Sequence, residues 1–264
     1  MARNSLKAVM RLIDNAKDEL PVEKAFLEDL KRSIEINEEA HVRKPSQTYK
    51  PSSMHCIRNM FYQVTGKDVD TSAPSYMMTG IVNAGSDIHT RIQEAVLRMK
   101  DAGFDCEYVD VEQYVKKNKL KHLTVREKHG AETKLFNKGL NMSFMCDGII
   151  LYQGEYYVLE IKSETAYKWY DRKDVDPKHH NQAIAYAEAF GLDKVIFLYV
   201  SRDMLDMKAY MFHVTDDMKE SLIGLIEECD GYVKRLVTPP KPADIARKTC
   251  EYCNYKTQCR KDGK

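Results

Sequence analysis

The chain has almost no charge of one sign to spare. Its 264 residues carry 41 Lys and Arg against 40 Asp and Glu, a formal net charge of +1. That balance excludes a globally basic protein, so a nucleic-acid partner has to be met by local basic stretches. Long apolar runs are missing as well. None approaches the roughly 20 residues a helical membrane span needs. The opening MARNSLKAVMRLIDNAKDEL is charged and amphipathic and lacks a signal-peptide apolar core. No internal repeat, low-complexity segment or Walker P-loop occurs, and the missing P-loop leaves the chain without a nucleotide-driven motor. A cytoplasmic location is expected, where thiols stay reduced, and seven cysteines there point to a metal site more than to disulfides.

Apolar residues recur at helical spacing over 5–40, with Pro21 opening a second helix. A basic, proline-containing linker covers 41–53. Ser52 or Ser53 is placed to cap a short helix in MHCIRNMFYQVTG that closes at Gly66, and a long helix over 75–100 stops at Gly103. Strands are expected over 106–115, 132–136, 142–152 and 156–161. Asp176-Pro177 then opens a helix that runs to Gly191, KVIFLYV and MKAYMFHV form two more strands, and Thr215 caps a helix to about residue 237. The tail that follows is loop-like. This order fits a mixed α/β sheet with a helical annex.

The stretch DGIILYQGEYYVLEIKSE holds two apolar strands around a Gln153-Gly154 turn. Asp147 heads the first strand, and Glu160-Ile161-Lys162 closes the second. Asp147 and Glu160 lie six residues to either side of the turn and are therefore nearly opposite, while Lys162 shares the face of Glu160. Burying two unpaired carboxylates costs several kcal/mol or forces them to neutralise. A hard cation such as Mg²⁺ or Mn²⁺ would satisfy both; a salt-bridged hairpin end is the other arrangement these residues allow. Downstream, Gln182 and Tyr186 are four apart on one helix face, where an amide and a phenol can bond phosphate or stack a base. His89 follows Gly85 at helical spacing, and a glycine there lets the helix approach the sheet with the imidazole as a third ligand.

Together these residues resemble the motif series of the PD-(D/E)XK nuclease superfamily, in its RecB-type branch. The resemblance spans roughly residues 50 to 260 and implies a restriction-endonuclease-like mixed sheet flanked by helices. It implies that His89, Asp147 and Glu160 bind the divalent metal together with the main-chain carbonyl of Ile161. It further implies that Lys162 assists the attacking water and that Gln182 and Tyr186 contact the substrate strand. Cys146 stands where proline is common, and Glu132 is a further acidic contact upstream.

The tail carries Cys250, Cys253 and Cys259 in a C-x2-C-x5-C spacing, which needs a fourth ligand. Cys56, beside Arg58 in the short helix, is the candidate. Cys106, Cys146 and Cys229 read as small apolar residues. Spacing alone does not separate zinc from an iron–sulphur cluster. The layout is similar to the iron–sulphur RecB-like nucleases, which include the AddB subunit and the CRISPR-associated single-domain nucleases. That similarity implies a [4Fe-4S] cluster tying the chain ends together and stapling the helical annex over the site. Ile57 stands where those proteins usually have proline.

The expectation is a divalent-metal-dependent DNA nuclease, an exonuclease acting on single-stranded DNA or DNA ends in phage or mobile-element replication or recombination. It would work in the cytoplasm, that of the host if phage-encoded. A CRISPR-adaptation spacer-processing nuclease is the alternative within enzymes. The alternative of another class is a non-catalytic nucleic-acid-binding protein stapled by zinc. VRKPSQTYK (42–50) and KKNKLKHLTVREKH (116–129) are the basic stretches expected to guide DNA, with Tyr49 and Tyr114 for stacking. Expected protein partners are a helicase, an integrase or a single-strand-binding protein. Residues 1–45 read as an N-terminal helical extension and 46–264 as the nuclease domain, which includes the cysteine segment 250–259.

Overall fold

The computed structural model describes residues 21–39, 45–70, 75–129 and 132–263. In chain order the helices are α1 (Val22–Glu39), α2 (Ile57–Val64), α3 (Tyr76–Leu97), α4 (Val111–Lys117), α5 (Ala166–Asp171), α6 (His180–Phe190), α7 (Asp216–Arg235), α8 (Arg247–Glu251) and α9 (Lys256–Lys261). The strands are β1 (Cys106–Val109), β2 (Leu123–His129), β3 (Glu132–Asn137), β4 (Met142–Cys146), β5 (Gly148–Tyr152), β6 (Glu155–Glu164), β7 (Lys194–Ser201) and β8 (Met207–His213). Among the described residues no helix is long and apolar enough to cross a membrane.

Two compact units are present, one within 1–43 and 71–83 and the other within 44–70 and 84–264. In the first, α1 begins directly after Pro21, and the Tyr76 backbone N–H donates to Glu35 Oε1 at 3.3 Å. The helix expected over residues 5–20 lies outside the described residues.

The second unit holds a five-stranded mixed sheet in the order β1-β5-β6-β7-β8 and a three-stranded antiparallel sheet β2-β3-β4. Only β6 and β7 in the larger sheet run parallel, joined by a crossover through α5 and α6. Strand alternation gives that sheet two apolar faces. Leu159, Ile161 and Ile150 pack with Ile88 of α3 on one face. Val158, Val195 and Phe197 pack with Ala183, Ala187 and Phe190 of α6 on the other. The alanines of α6 bring its backbone close to the sheet. Gln153 and Gly154 have φ of 51° and 80°, the paired left-handed geometry of a two-residue hairpin turn.

Several expected elements take a different form. The strand expected over 106–115 stops at Val109, because Asp110 caps α4 by accepting from the Gln113 N–H at 2.8 Å. The basic stretch 116–129 becomes the end of α4 and β2. Its Lys116 pairs with Glu112, and Lys128 pairs with Asp110 and Glu112, so part of its charge is compensated locally. Tyr49 is fully buried with its hydroxyl donating to Asp230 at 2.6 Å, and Tyr114 is buried in the core, so neither is open to a base. Cys56 sits at the N-cap of α2, not inside the helix. The run 142–152 is not one strand: β4 and β5 belong to different sheets, and Asp147 is the residue between them.

That junction depends on Gly148. A Cβ added there would lie 2.7 Å from the Tyr108 ring and hydroxyl, and the same hydroxyl donates to the Asp147 carbonyl at 2.5 Å. Gly148→Ala is expected to cost about 1–3 kcal/mol by overpacking, read as a lowered urea midpoint. Gly80→Ala, at a helical glycine with open space around it, is the control that should cost nothing. Equal stability of the two variants would contradict this packing.

Candidate active site

Asp147 is matched by an acid in each sheet. The β5–β6 register pairs Gly148 with Leu159, which sets Asp147 opposite Glu160, and the β3–β4 register pairs Cys146 with Thr133, which sets it opposite Glu132. His89 comes from α3, which approaches β6 closely enough at Gly85 that an added Cβ would sit 3.2 Å from Ser163 Oγ. His89 Nδ1 lies 3.3 Å from Asp147 Oδ1 and 3.9 Å from Glu132 Oε1. Among the described residues, His89, Glu132 and Asp147 form the one group of three or more metal-ligating side chains with ligand atoms within 4.8 Å of one another. Glu132 thus takes the close position that the sequence reading gave to Glu160, which stands beside this trio.

Asp147 is held through its carbonyl and one carboxylate oxygen. Its Oδ2 accepts the Ile161 backbone N–H at 2.7 Å, and its carbonyl accepts from Gln93 Nε2 at 2.8 Å and from Tyr108. Oδ1 is left facing His89. Glu160 is 3% exposed. Its Oε1 accepts from Lys162 Nζ at 2.5 Å and from Gln182 Nε2 at 2.7 Å. Its Oε2 is buried and has no hydrogen-bond partner among the described residues. Burial pushes the Glu160 carboxyl up to about 7, Lys162 opposes the shift, and the Asp147 charge adds to it. For His89, burial works against the imidazolium, but hydrogen bonding to Asp147 and the charges of Asp147, Glu160 and Glu132 outweigh it and raise its pKa.

Gln182 and Tyr186 face inward, not toward a passing strand. Gln182 Oε1 accepts from Lys162 at 3.0 Å, and its Nε2 reaches both Glu160 and, at 2.9 Å, the Tyr186 hydroxyl. Tyr186 in turn donates to the Met145 carbonyl at 2.8 Å, and burial holds its phenol well above the ordinary range. Both polar groups are satisfied within the protein, as burial demands. Gln93 and Tyr108 are site residues the sequence reading missed; nothing local marks them, since both act across long sequence separations.

The four candidate cluster cysteines are drawn from the two ends of this unit. The tail is sewn to 56–70 by Arg58 Nε donating to the Pro239 carbonyl at 2.8 Å, Tyr62 to Asp262 at 2.7 Å and the Asp70 N–H to the Asn254 carbonyl at 2.7 Å. Arg58 Nη1 lies 3.6 Å from Cys259 Sγ, and Asn59 Nδ2 lies 3.6 Å from Cys253 Sγ. Burial raises the Cys56 and Cys253 thiols, and the other cysteines of the set add to the rise. No three of the four sulfurs come within 4.8 Å of one another.

No family model and no curated protein matches the chain. Among solved structures it is similar to the crystal structure of SSO0001, at 18% identity over 89% of this chain and 96% of that one, with a TM-score of 0.49. It is similar also to the alkaline exonuclease LHK-Exo from Laribacter hongkongensis, at 10% identity over 73% and 92% of the two chains, with a TM-score of 0.42. LHK-Exo in complex with dAMP gives 12% identity over 75% and 94%, with a TM-score of 0.42.

The raised Glu160 pKa sets a pH dependence. A carboxyl whose folded pKa lies above its ordinary value of 4.5 contributes its full stability below that value and loses it as pH rises through about 7. Glu160→Gln is therefore expected to stabilise the metal-free protein at pH 8 by about 1–3 kcal/mol and to leave it nearly unchanged at pH 4.5. Urea titration of both proteins at both pH values is the check, and an equal destabilisation at each would contradict the assignment.

Proposed function

We propose that this chain is a divalent-metal-dependent nuclease of the PD-(D/E)XK superfamily, RecB-type branch, that hydrolyses DNA at single strands or ends. One observation carries the reading: Glu160 Oε2 is a buried carboxylate oxygen without a hydrogen-bond partner among the described residues, beside two more carboxylates, an imidazole and a lysine. Leaving such an atom unpaired costs of order several kcal/mol, a penalty that a purely structural hairpin end would remove. Oxygen-rich ligands with one histidine suit Mg²⁺ or Mn²⁺, held by Asp147, Glu132 and His89 with Glu160 adjoining. When bound, such an ion polarises the phosphoryl oxygen and lowers the pKa of a coordinated water.

The chain's own residues do the rest. Lys162, fixed between Glu160 and Gln182, holds its ammonium where it can orient the attacking water and offset charge developing on the phosphate. Gln182 and Tyr186 act as positioning residues for that pair. For the cysteines, we assign a [4Fe-4S] cluster held by Cys56, Cys250, Cys253 and Cys259 in preference to zinc. The preference rests on the layout, one upstream cysteine followed by an arginine and then C-x2-C-x5-C in the tail, which resembles that of the iron–sulphur RecB-like nucleases.

The test is degradation of end-labelled single-stranded and duplex DNA by anaerobically purified protein with Mg²⁺, Mn²⁺ or EDTA. Cleavage is expected only with metal, and Asp147→Ala and Lys162→Ala are each expected to lower the rate by at least about 10²-fold while DNA binding persists. Metal-dependent turnover by Lys162→Ala at the wild-type rate would contradict the mechanism. Iron and sulfide analysis of the same preparation tests the cluster. Cys253→Ser should lose the brown colour and unfold at lower denaturant, and a colourless wild type rich in zinc would contradict the assignment.

A further inference from the structure

Lys162 also lines a second feature. Beside it, a cavity of about 140 Å³ opens between the end of β6, the start of α5 and the Pro177–His179 turn. Lys168, Lys178 and Arg202 complete four cations around it. Glu164 is the one acid in the lining, and both of its oxygens are taken by the Arg172 guanidinium at 2.8 Å. Lys178 has Asp176 at 3.3 Å, and Lys162 has Glu160. Among the described residues Lys168 and Arg202 have no carboxylate at ion-pair distance; Arg202 Nη1 donates instead to the Ser163 carbonyl at 3.2 Å.

His179 adds a neutral imidazole. The Tyr199 hydroxyl oxygen accepts the Asp176 N–H at 3.1 Å and is hydrogen-bonded to His179 Nδ1, 3.0 Å away. Burial, with Lys162 and Lys178 close by, pushes the His179 pKa down to about 2, so the ring stays neutral at working pH. Burial, with the charges of Lys178 and Lys248, also lowers the Lys168 pKa, while Asp176 and Glu164 oppose the shift. The lining therefore offers donors and positive charge, with two cations unmatched.

We propose that this cavity receives the terminal phosphate of the DNA strand being cut and so reads a phosphorylated end. Two unmatched cations suit the two charges of a phosphomonoester better than the single charge of an internal phosphodiester. Sharing Lys162 with the carboxylate site puts that end beside the bond to be broken. The proposal rests on the nuclease reading for its substrate but not for its test.

Single-stranded oligonucleotides bearing a 5′-phosphate, a 3′-phosphate or hydroxyls at both ends are compared for binding in EDTA and for cleavage with Mg²⁺ or Mn²⁺. One phosphorylated end is expected to bind at least about tenfold more tightly than the hydroxyl end. Lys168→Ala/Arg202→Ala is expected to erase that preference while still cutting hydroxyl-ended strands. Lys168 is exposed, so Lys168→Glu, which should also erase the preference, serves as a second variant free of folding effects. Wild-type binding and cleavage indifferent to the terminal phosphate would overturn the proposal and leave the nuclease standing. A phosphate preference in EDTA without cleavage in either metal would keep the cavity and overturn the nuclease.

Discussion

The constraint on which the rest of this structure depends is the burial of Glu160 beside Asp147. A carboxylate held away from water either protonates, finds donors or meets a cation. Glu160 takes two donors on one oxygen and none on the other, and its pKa rises accordingly. The neighbouring residues each answer part of that demand. Lys162 and Gln182 hold the satisfied oxygen, while Asp147, Glu132 and His89 gather on a second centre of negative charge.

The backbone is shaped to keep that arrangement. Asp147 sits where the chain leaves one sheet for the other, so acids from both sheets can flank it. Such a residue has no ladder of its own, and the Ile161 N–H, Gln93 and Tyr108 take over that anchoring. Gly148 lets the Tyr108 ring lie against the strand, and Gly85 lets α3 bring His89 down to β6. Small residues here are placed by steric need, because a side chain at either position meets a neighbour on the opposite element.

Much of this site was legible in the sequence because its central pair lies on one hairpin. A short apolar pattern and a Gln-Gly turn determine the register of Asp147 and Glu160, and both are local features. Glu132 was harder to place, since its approach to Asp147 comes from the pairing of β3 with β4. Gln182 and Tyr186 were found at the right place with the wrong outlook: helical spacing puts them on one face but does not tell whether that face meets solvent or the sheet. Tyr49 and Tyr114 misled for the same reason, as a tyrosine among lysines reads as exposed until packing buries it. Asp110 was read through as strand because a cap depends on the chain direction that follows. The cavity beside Lys162 was invisible because Lys162, Lys168, Lys178 and Arg202 come from four separate elements or turns.

Divalent-cation binding by the carboxylate cluster is the property on which the proposed chemistry depends. Titration of metal-free protein with Mn²⁺ at pH 8, followed by calorimetry and by electron paramagnetic resonance, addresses this without relying on any substrate. The predicted result is saturable binding that is lost in Asp147→Asn and weakened at least about tenfold in Glu160→Gln. Wild-type protein that binds no Mn²⁺, or variants that bind it as tightly as the wild type, would contradict the account.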